Sequence, residues 1–166
     1  MVFSRIWLGI KSLAMTILFP GTVAGLLPYL ILSPLEISSV YDWSIAQYVA
    51  IPIMGIGLAI LLRSIWEFAS TGKGTLAPFD EPRKLVVKGL YRYVRNPMYV
   101  GVILILLGES LFFWSGALFL YSGICFLGFN LFIIGFEEGN LRSKFGDEYK
   151  QYCEKVNRWI PGKPYS

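Results

Sequence analysis

Residues 97–138 read PMYVGVILILLGESLFFWSGALFLYSGICFLGFNLFIIGFEE. Two apolar runs, 97–113 and 115–136, are separated only by the step Trp114-Ser115-Gly116. Each approaches the ~20 residues a helix needs to cross a bilayer core, the first run being the shorter. A bend this tight predicts an antiparallel helical hairpin. Its two open ends, near Asn96 and Phe136, then lie side by side. The acids Glu137 and Glu138 follow directly.

Two further apolar runs precede this hairpin, at 12–32 and 45–66. The chain of 166 residues is 55% hydrophobic and only 16% charged, too apolar for a soluble domain of its size. These features predict an all-α integral membrane protein of about four transmembrane helices with a C-terminal amphipathic helix. They form a single domain over residues 1–166, with residues 1–69 holding the first two spans and 70–161 the rest. Pro20 and Pro28 fall in the first run, where lipid-embedded helices tolerate them. Arg5 and Lys11 give that run a basic front. Its length, with no small-residue cleavage site after it, reads as a retained span rather than a leader.

The cations orient the spans. Arg5 and Lys11 lie before the first, and residues 33–44 between the first and second have no Lys or Arg. Lys73, Arg83, Lys84, Lys88, Arg92 and Arg95 lie between the second and third. The Trp114 turn has none, and Arg142, Lys144, Lys150, Lys155, Arg158 and Lys163 follow the fourth. Both termini and the middle loop are therefore expected in the cytoplasm, a plan that suits a bacterial inner membrane. Tyr41, Trp43 and Trp114 would belong to the outer interface and Trp66 to the inner one. Past residue 137, Leu141, Phe145, Tyr149, Tyr152 and Val156 recur at three- and four-residue steps among charges. This is an amphipathic helix, either lying on the membrane surface or folding back over the bundle.

The chemistry collects at the inner mouth of the hairpin. Asn96-Pro97 predicts a helix start, with Asn96 as N-cap and Pro97 at the first helical position. Free N–H groups and a partial positive charge there, with Arg92 and Arg95 nearby, describe an anion seat. Tyr91, Tyr93 and Tyr99 offer aromatic faces. The same residues equally describe an interfacial anchor. The Glu137–Glu138 pair would meet Arg95 and Asn96 across the hairpin, or else be a solvated helix end. Asn130, seven residues before Glu137, falls on the same helical face. It is placed to bond a substrate or a neighbouring helix. Glu109 stands 12 residues beyond Pro97, about 18 Å at 1.5 Å per residue, so it belongs near the outer face and reads as structural. Arg63 and Glu67, one turn apart, read as a structural pair. Gly72-Lys73-Gly74-Thr75 matches no phosphate-loop pattern. With no His and only Cys125 and Cys153, a Cys/His zinc site lacks ligands and no disulfide is expected.

Two blocks carry a resemblance: TGKGTLAPFDEPRKLVVKGLYRYVRNPMYVG (71–101) and, about 35 residues later, EEGNLRSKFGDEYKQYCEKVNRWIP (137–161). They resemble the isoprenylcysteine carboxyl methyltransferase family and its bacterial relatives, whose layout phospholipid N-methyltransferases share. The resemblance implies an integral membrane enzyme using S-adenosyl-L-methionine. It implies that Arg83, Lys84, Leu85, Val86, Tyr91, Asn96, Pro97, Met98 and Tyr99 line the cofactor pocket, that Gly89 forms a fixed turn before it, and that Glu137 contacts the cofactor. Arg95 joins them from the anion seat. Asn96 stands in place of the His of eukaryotic members, Leu90 and Gly139 in place of Pro in many bacterial ones. Ile133 stands where eukaryotic members carry a substrate-contacting Arg, for which Arg158 is the candidate replacement. Asn130, Glu138 and Arg158 are the candidate catalytic residues. The expected partners are a lipid-like small-molecule substrate and membrane lipids, with no nucleic acid and no metal. Two alternatives stand beside this reading. One is a membrane sterol or enone reductase, with Arg83, Lys84 and Lys88 meeting the 2′-phosphate of NADPH. The other is a non-catalytic membrane module.

Overall fold

The computed structural model describes residues 18–32, 37, 43–72 and 84–165. Arg83, the Lys73–Thr75 loop, Tyr41 and the first turns of the first apolar run lie outside the described residues. Those described form helices and no strand; Val94 and Asn157 meet in one isolated parallel bridge.

Helix α1, Leu18–Ile31, holds a π-helical stretch at Thr22–Leu26. Helix α2, Ile45–Gly72, absorbs Pro52 within its length. A 3₁₀ turn, Gly89–Arg92, leads to α3, Pro97–Phe112. Helix α4, Gly116–Phe132, continues through a π-turn, Ile133–Glu137, into α5, Glu138–Lys155. Among the described residues, two helices are long and apolar enough to cross a membrane: Ile45–Ser70 and the one that begins at Gly116. Leu18–Ile31 and the 16-residue α3 are apolar but shorter.

The expected hairpin of α3 and α4 is present. Trp114, at φ 49°, ends the first helix in a left-handed turn. Ser115 then N-caps the second, its side chain accepting from the Leu118 N–H at 3.3 Å. The amide of Gln47 donates to the Phe112 carbonyl at 3.0 Å, tying the end of α3 to the start of α2. Between the hairpin arms, the buried hydroxyls of Ser110 and Ser122 pair at 3.2 Å. Each also lies within hydrogen-bond distance of a carbonyl one turn back in its own helix, and with one proton apiece the two hydroxyls make two of these three contacts at a time.

The tightest contact is between α2 and α3. A Cβ on Gly57 would lie 2.8 Å from the Gly101 carbonyl, and one on Gly101 2.8 Å from the Gly57 carbonyl. Where lipid replaces water outside, helices gain little by burying apolar bulk and associate through such close backbone approach. Leu61, Val102, Leu106, Phe129 and Ile133 form the core. Much of the rest, including Leu120, Ile124, Leu127 and Leu131, faces outward, as a lipid-bathed surface requires.

The tail folds back over the bundle. Helix α5 bends at Gly146, where φ is +52°. Beyond the bend Tyr149, Tyr152 and Val156 bury themselves against Leu85 and Val87, with Leu141 and Phe145 beside them. The anticipated apolar stripe is thus the face that packs. The last residues form a strap on the segment before α3: Arg95 N–H donates to Asn157, Gly162 N–H to Tyr93, and Tyr165 N–H to Arg92.

Candidate functional site

The site lies where α3 begins and α4 runs into α5. Pro97 occupies the first turn of α3, fully buried. Asn96 holds the N-cap position, but its side chain caps nothing. Its amide instead donates to the Arg158 carbonyl at 3.3 Å, because the strap passes directly over it. The expected side-chain cap is therefore corrected: the tail competes for Asn96 and leaves the first N–H groups of α3 without one.

Glu137 and Glu138 are neighbours with different fates. The Tyr99 hydroxyl donates to Glu137 at 3.2 Å, joining the first turn of α3 to the end of α4. Glu138 takes a fork from Arg158, Nε at 2.8 Å and a terminal nitrogen at 3.0 Å, and lies 3.2 Å from Arg95. Arg95 also donates to the Cys153 sulfur at 2.7 Å. Two arginines thus share one acid. The open anion seat expected from Arg92 and Arg95 is largely filled by the protein itself, since Arg92 donates to the Tyr165 carbonyl at 2.9 Å. Arg158 is not a free cation standing in for the missing Arg at Ile133. Ile133 is buried in the core, and Arg158 holds the strap to α5.

Two atoms keep unspent capacity. The Arg95 Nε–H is buried with no hydrogen-bond partner among the described residues. The second oxygen of Glu137 has none either among them. Desolvation pushes the Glu137 carboxyl above the usual carboxylate range, the Tyr99 hydrogen bond opposes this, and Glu138 adds to it. Burial first, then Glu137, hold the Tyr91 phenol well above its ordinary value, so it stays protonated. The Glu138 hydrogen bond raises Arg158 and keeps it charged.

Of the other expected site residues, Met98 and Tyr99 lie half-buried beside the core, and Tyr99 stacks on Phe129 at 4.9 Å. Tyr91 is buried in the 3₁₀ turn that opens at Gly89. Lys84 is exposed. Val86 is buried, and Leu85 packs on the Tyr149–Tyr152 cluster, which makes Leu85 a packing contact of the tail. Asn130 accepts from the Trp159 indole at 3.1 Å. A π-turn lies between Asn130 and Glu137, and the two side chains take different partners, the Trp159 indole and the Tyr99 hydroxyl. Glu109 lies away from the site, in the last turn of α3, with one buried oxygen lacking a hydrogen-bond partner among the described residues. Sequence reasoning missed Tyr152, whose hydroxyl donates to the Tyr91 carbonyl at 2.6 Å, and Trp159. Both stood in plain view as aromatics of the tail, but only folding over Gly146 and along the strap brings them here.

The arrangement offers an acceptor, a buried donor, aromatic walls and an uncapped helix start. Such a set suits a ligand carrying both charges.

The sequence model of the family "Phospholipid methyltransferase" matches residues 45–148. Protein-S-isoprenylcysteine O-methyltransferase of Schizosaccharomyces pombe is 39% identical over 77 residues, 46% of this chain and 33% of that protein. Probable protein-S-isoprenylcysteine O-methyltransferase of Oryza sativa subsp. indica is 29% identical over 83 residues, 50% of this chain and 44% of that protein. An uncharacterized protein of Haemophilus influenzae is 44% identical over 63 residues, which are 38% of this chain and all of that protein. The matches thus span between a third and a half of the methyltransferases' length. Because the family match runs from α2 through the Glu137–Glu138 pair into α5, more than half of the sequence, this chain belongs to the phospholipid methyltransferase family.

Proposed function

We propose that this protein is an S-adenosyl-L-methionine-dependent methyltransferase acting on a lipid-like substrate at the cytoplasmic membrane face. In this reading the chain crosses a bacterial inner membrane four times, with both termini inside. The observation that carries it is the Tyr99–Glu137 bond, which sets a carboxylate with a spare oxygen beside the start of α3. Family membership and the similarity to protein-S-isoprenylcysteine O-methyltransferases support the reaction class.

The residues fit the cofactor. S-adenosyl-L-methionine carries a carboxylate, an ammonium, a sulfonium and ribose hydroxyls. The orphaned Arg95 Nε–H and the uncapped start of α3 suit the carboxylate. The spare oxygen of Glu137 suits the ammonium or a ribose hydroxyl. Tyr91 and Tyr99 supply aromatic walls. When bound, the cofactor supplies a methyl group already activated by its sulfonium. The protein then has to align the acceptor and exclude water, which matter more here than acid–base groups. Glu138 and Arg158, paired with each other, keep the strap closed over the mouth, and Asn130 anchors the strap through Trp159.

Purified protein in detergent should bind S-adenosyl-L-methionine in calorimetry. It should also move a labelled methyl from it into a total lipid extract, with the product identified by mass. Absence of binding, or binding of NADPH instead, would overturn the proposal.

A further inference from the structure

Glu67 sits at the inner end of α2, 6% exposed. One of its oxygens takes the Arg63 Nε–H at 2.6 Å. The other takes the backbone N–H of Leu90 at 2.8 Å, 23 residues away. Leu90 is the second residue of the 3₁₀ turn that carries Tyr91. Gly89, which opens the turn, has φ +55°, and a Cβ there would collide with the Glu67 carboxylate. The turn is therefore molded on this acid: it needs a glycine both for its dihedral angles and for the space the carboxylate takes. A buried carboxylate at a membrane boundary is costly unless paired. Arg63 alone would pair it, yet Glu67 also reaches across to a loop amide. Tyr91, next in sequence, is buried in this turn, and the chain runs on from it through Arg95 and Asn96 into the start of α3. Tyr152 grips the same turn from the opposite side, through the Tyr91 carbonyl.

We propose that Glu67 is a positioning residue of the cofactor site: its carboxylate, clamped on the Leu90 amide, sets the turn that carries Tyr91 and leads into the start of α3. This rests on the cofactor reading above. Reach, not charge, is the property that matters. Glu67→Gln keeps an acceptor oxygen at the same distance, whereas Glu67→Asp keeps the charge and withdraws it by one methylene.

The test is calorimetry with S-adenosyl-L-methionine on the full chain in detergent, beside amide hydrogen exchange of residues 88–93. Glu67→Asp and Glu67→Ala are expected to weaken binding about tenfold, the loss of one charge-assisted hydrogen bond, and to speed exchange of that segment. Glu67→Gln should stay within about threefold of wild type, with exchange protected. If Ala fails to fold, the Asp and Gln pair decides the matter. Should Asp and Gln bind equally well while both lower the melting temperature, Glu67 is a structural pair with Arg63 and the inference falls. A wild type that binds no S-adenosyl-L-methionine overturns the functional reading instead. Exchange in the Asp variant then still decides whether the clamp exists.

Discussion

At the scale of single residues, the adjacent acids Glu137 and Glu138 divide the work of the site. Among the described residues, Glu138 is committed to two arginines, while Glu137 has a phenol as its partner. Glu137→Ala and Tyr99→Ala should each weaken S-adenosyl-L-methionine binding by about tenfold or more while leaving the folded fraction unchanged, as calorimetry and circular dichroism would register. The Glu137 carboxyl is raised by burial, so its ionised form is present only above that raised value and disappears as pH falls through it. Affinity should therefore drop on acidification, starting above the ordinary glutamate value of about 4.3. Glu137→Gln should flatten that part of the profile. Glu138→Ala acts differently, because it strands Arg95 and Arg158 as unpaired cations. Both are partly solvated, so the expected cost is about 1–3 kcal/mol of stability, read from thermal unfolding in detergent.

At the scale of elements, α2 and α3 meet through glycines. The Gly57 and Gly101 backbones approach too closely for any side chain between them. Gly101→Val should push the helices apart and cost about 1–3 kcal/mol, whereas Gly123→Ala, with open space around it, should change stability little. Thermal unfolding of the two variants side by side separates these cases. The π-turn at the end of α4 is the other decisive element. It joins α4 to α5, with Asn130 before it bonded to the strap and Glu137 at its end bonded to α3.

At the scale of the whole molecule, the tail closes the mouth of the bundle. Its strap is held by backbone bonds to Arg92, Tyr93 and Arg95 and by the Arg158–Glu138 fork. The four-span reading makes a direct prediction. In a background lacking Cys125 and Cys153, Trp114→Cys should label from outside intact cells with an impermeant maleimide. Lys163→Cys should label only after lysis. Both residues are exposed, so access depends on the membrane alone. Labelling of both from the same side would place Asn96 and the acidic pair in a different topology and dissolve the site.

Local and periodic features were legible in the sequence. Apolar run lengths, the Trp114 turn, the Asn96-Pro97 helix start and the stripe from Leu141 to Val156 depend only on neighbours along the chain. From them follow the helices, the hairpin and the meeting of the acidic pair with the segment that begins α3. The tertiary structure alone decided which charges are spent. The hairpin announced that Arg95 would meet the acidic pair, but not that Glu138 would be the acid it meets, nor that Arg158, 20 residues beyond Glu138, would share it. The fold-back at Gly146 sets Cys153 on Arg95 and carries the strap over Asn96, and it brings Trp159 to Asn130. Pairing of charges is a matter of distance in space, and a single bend or one altered helical turn reassigns every partner downstream.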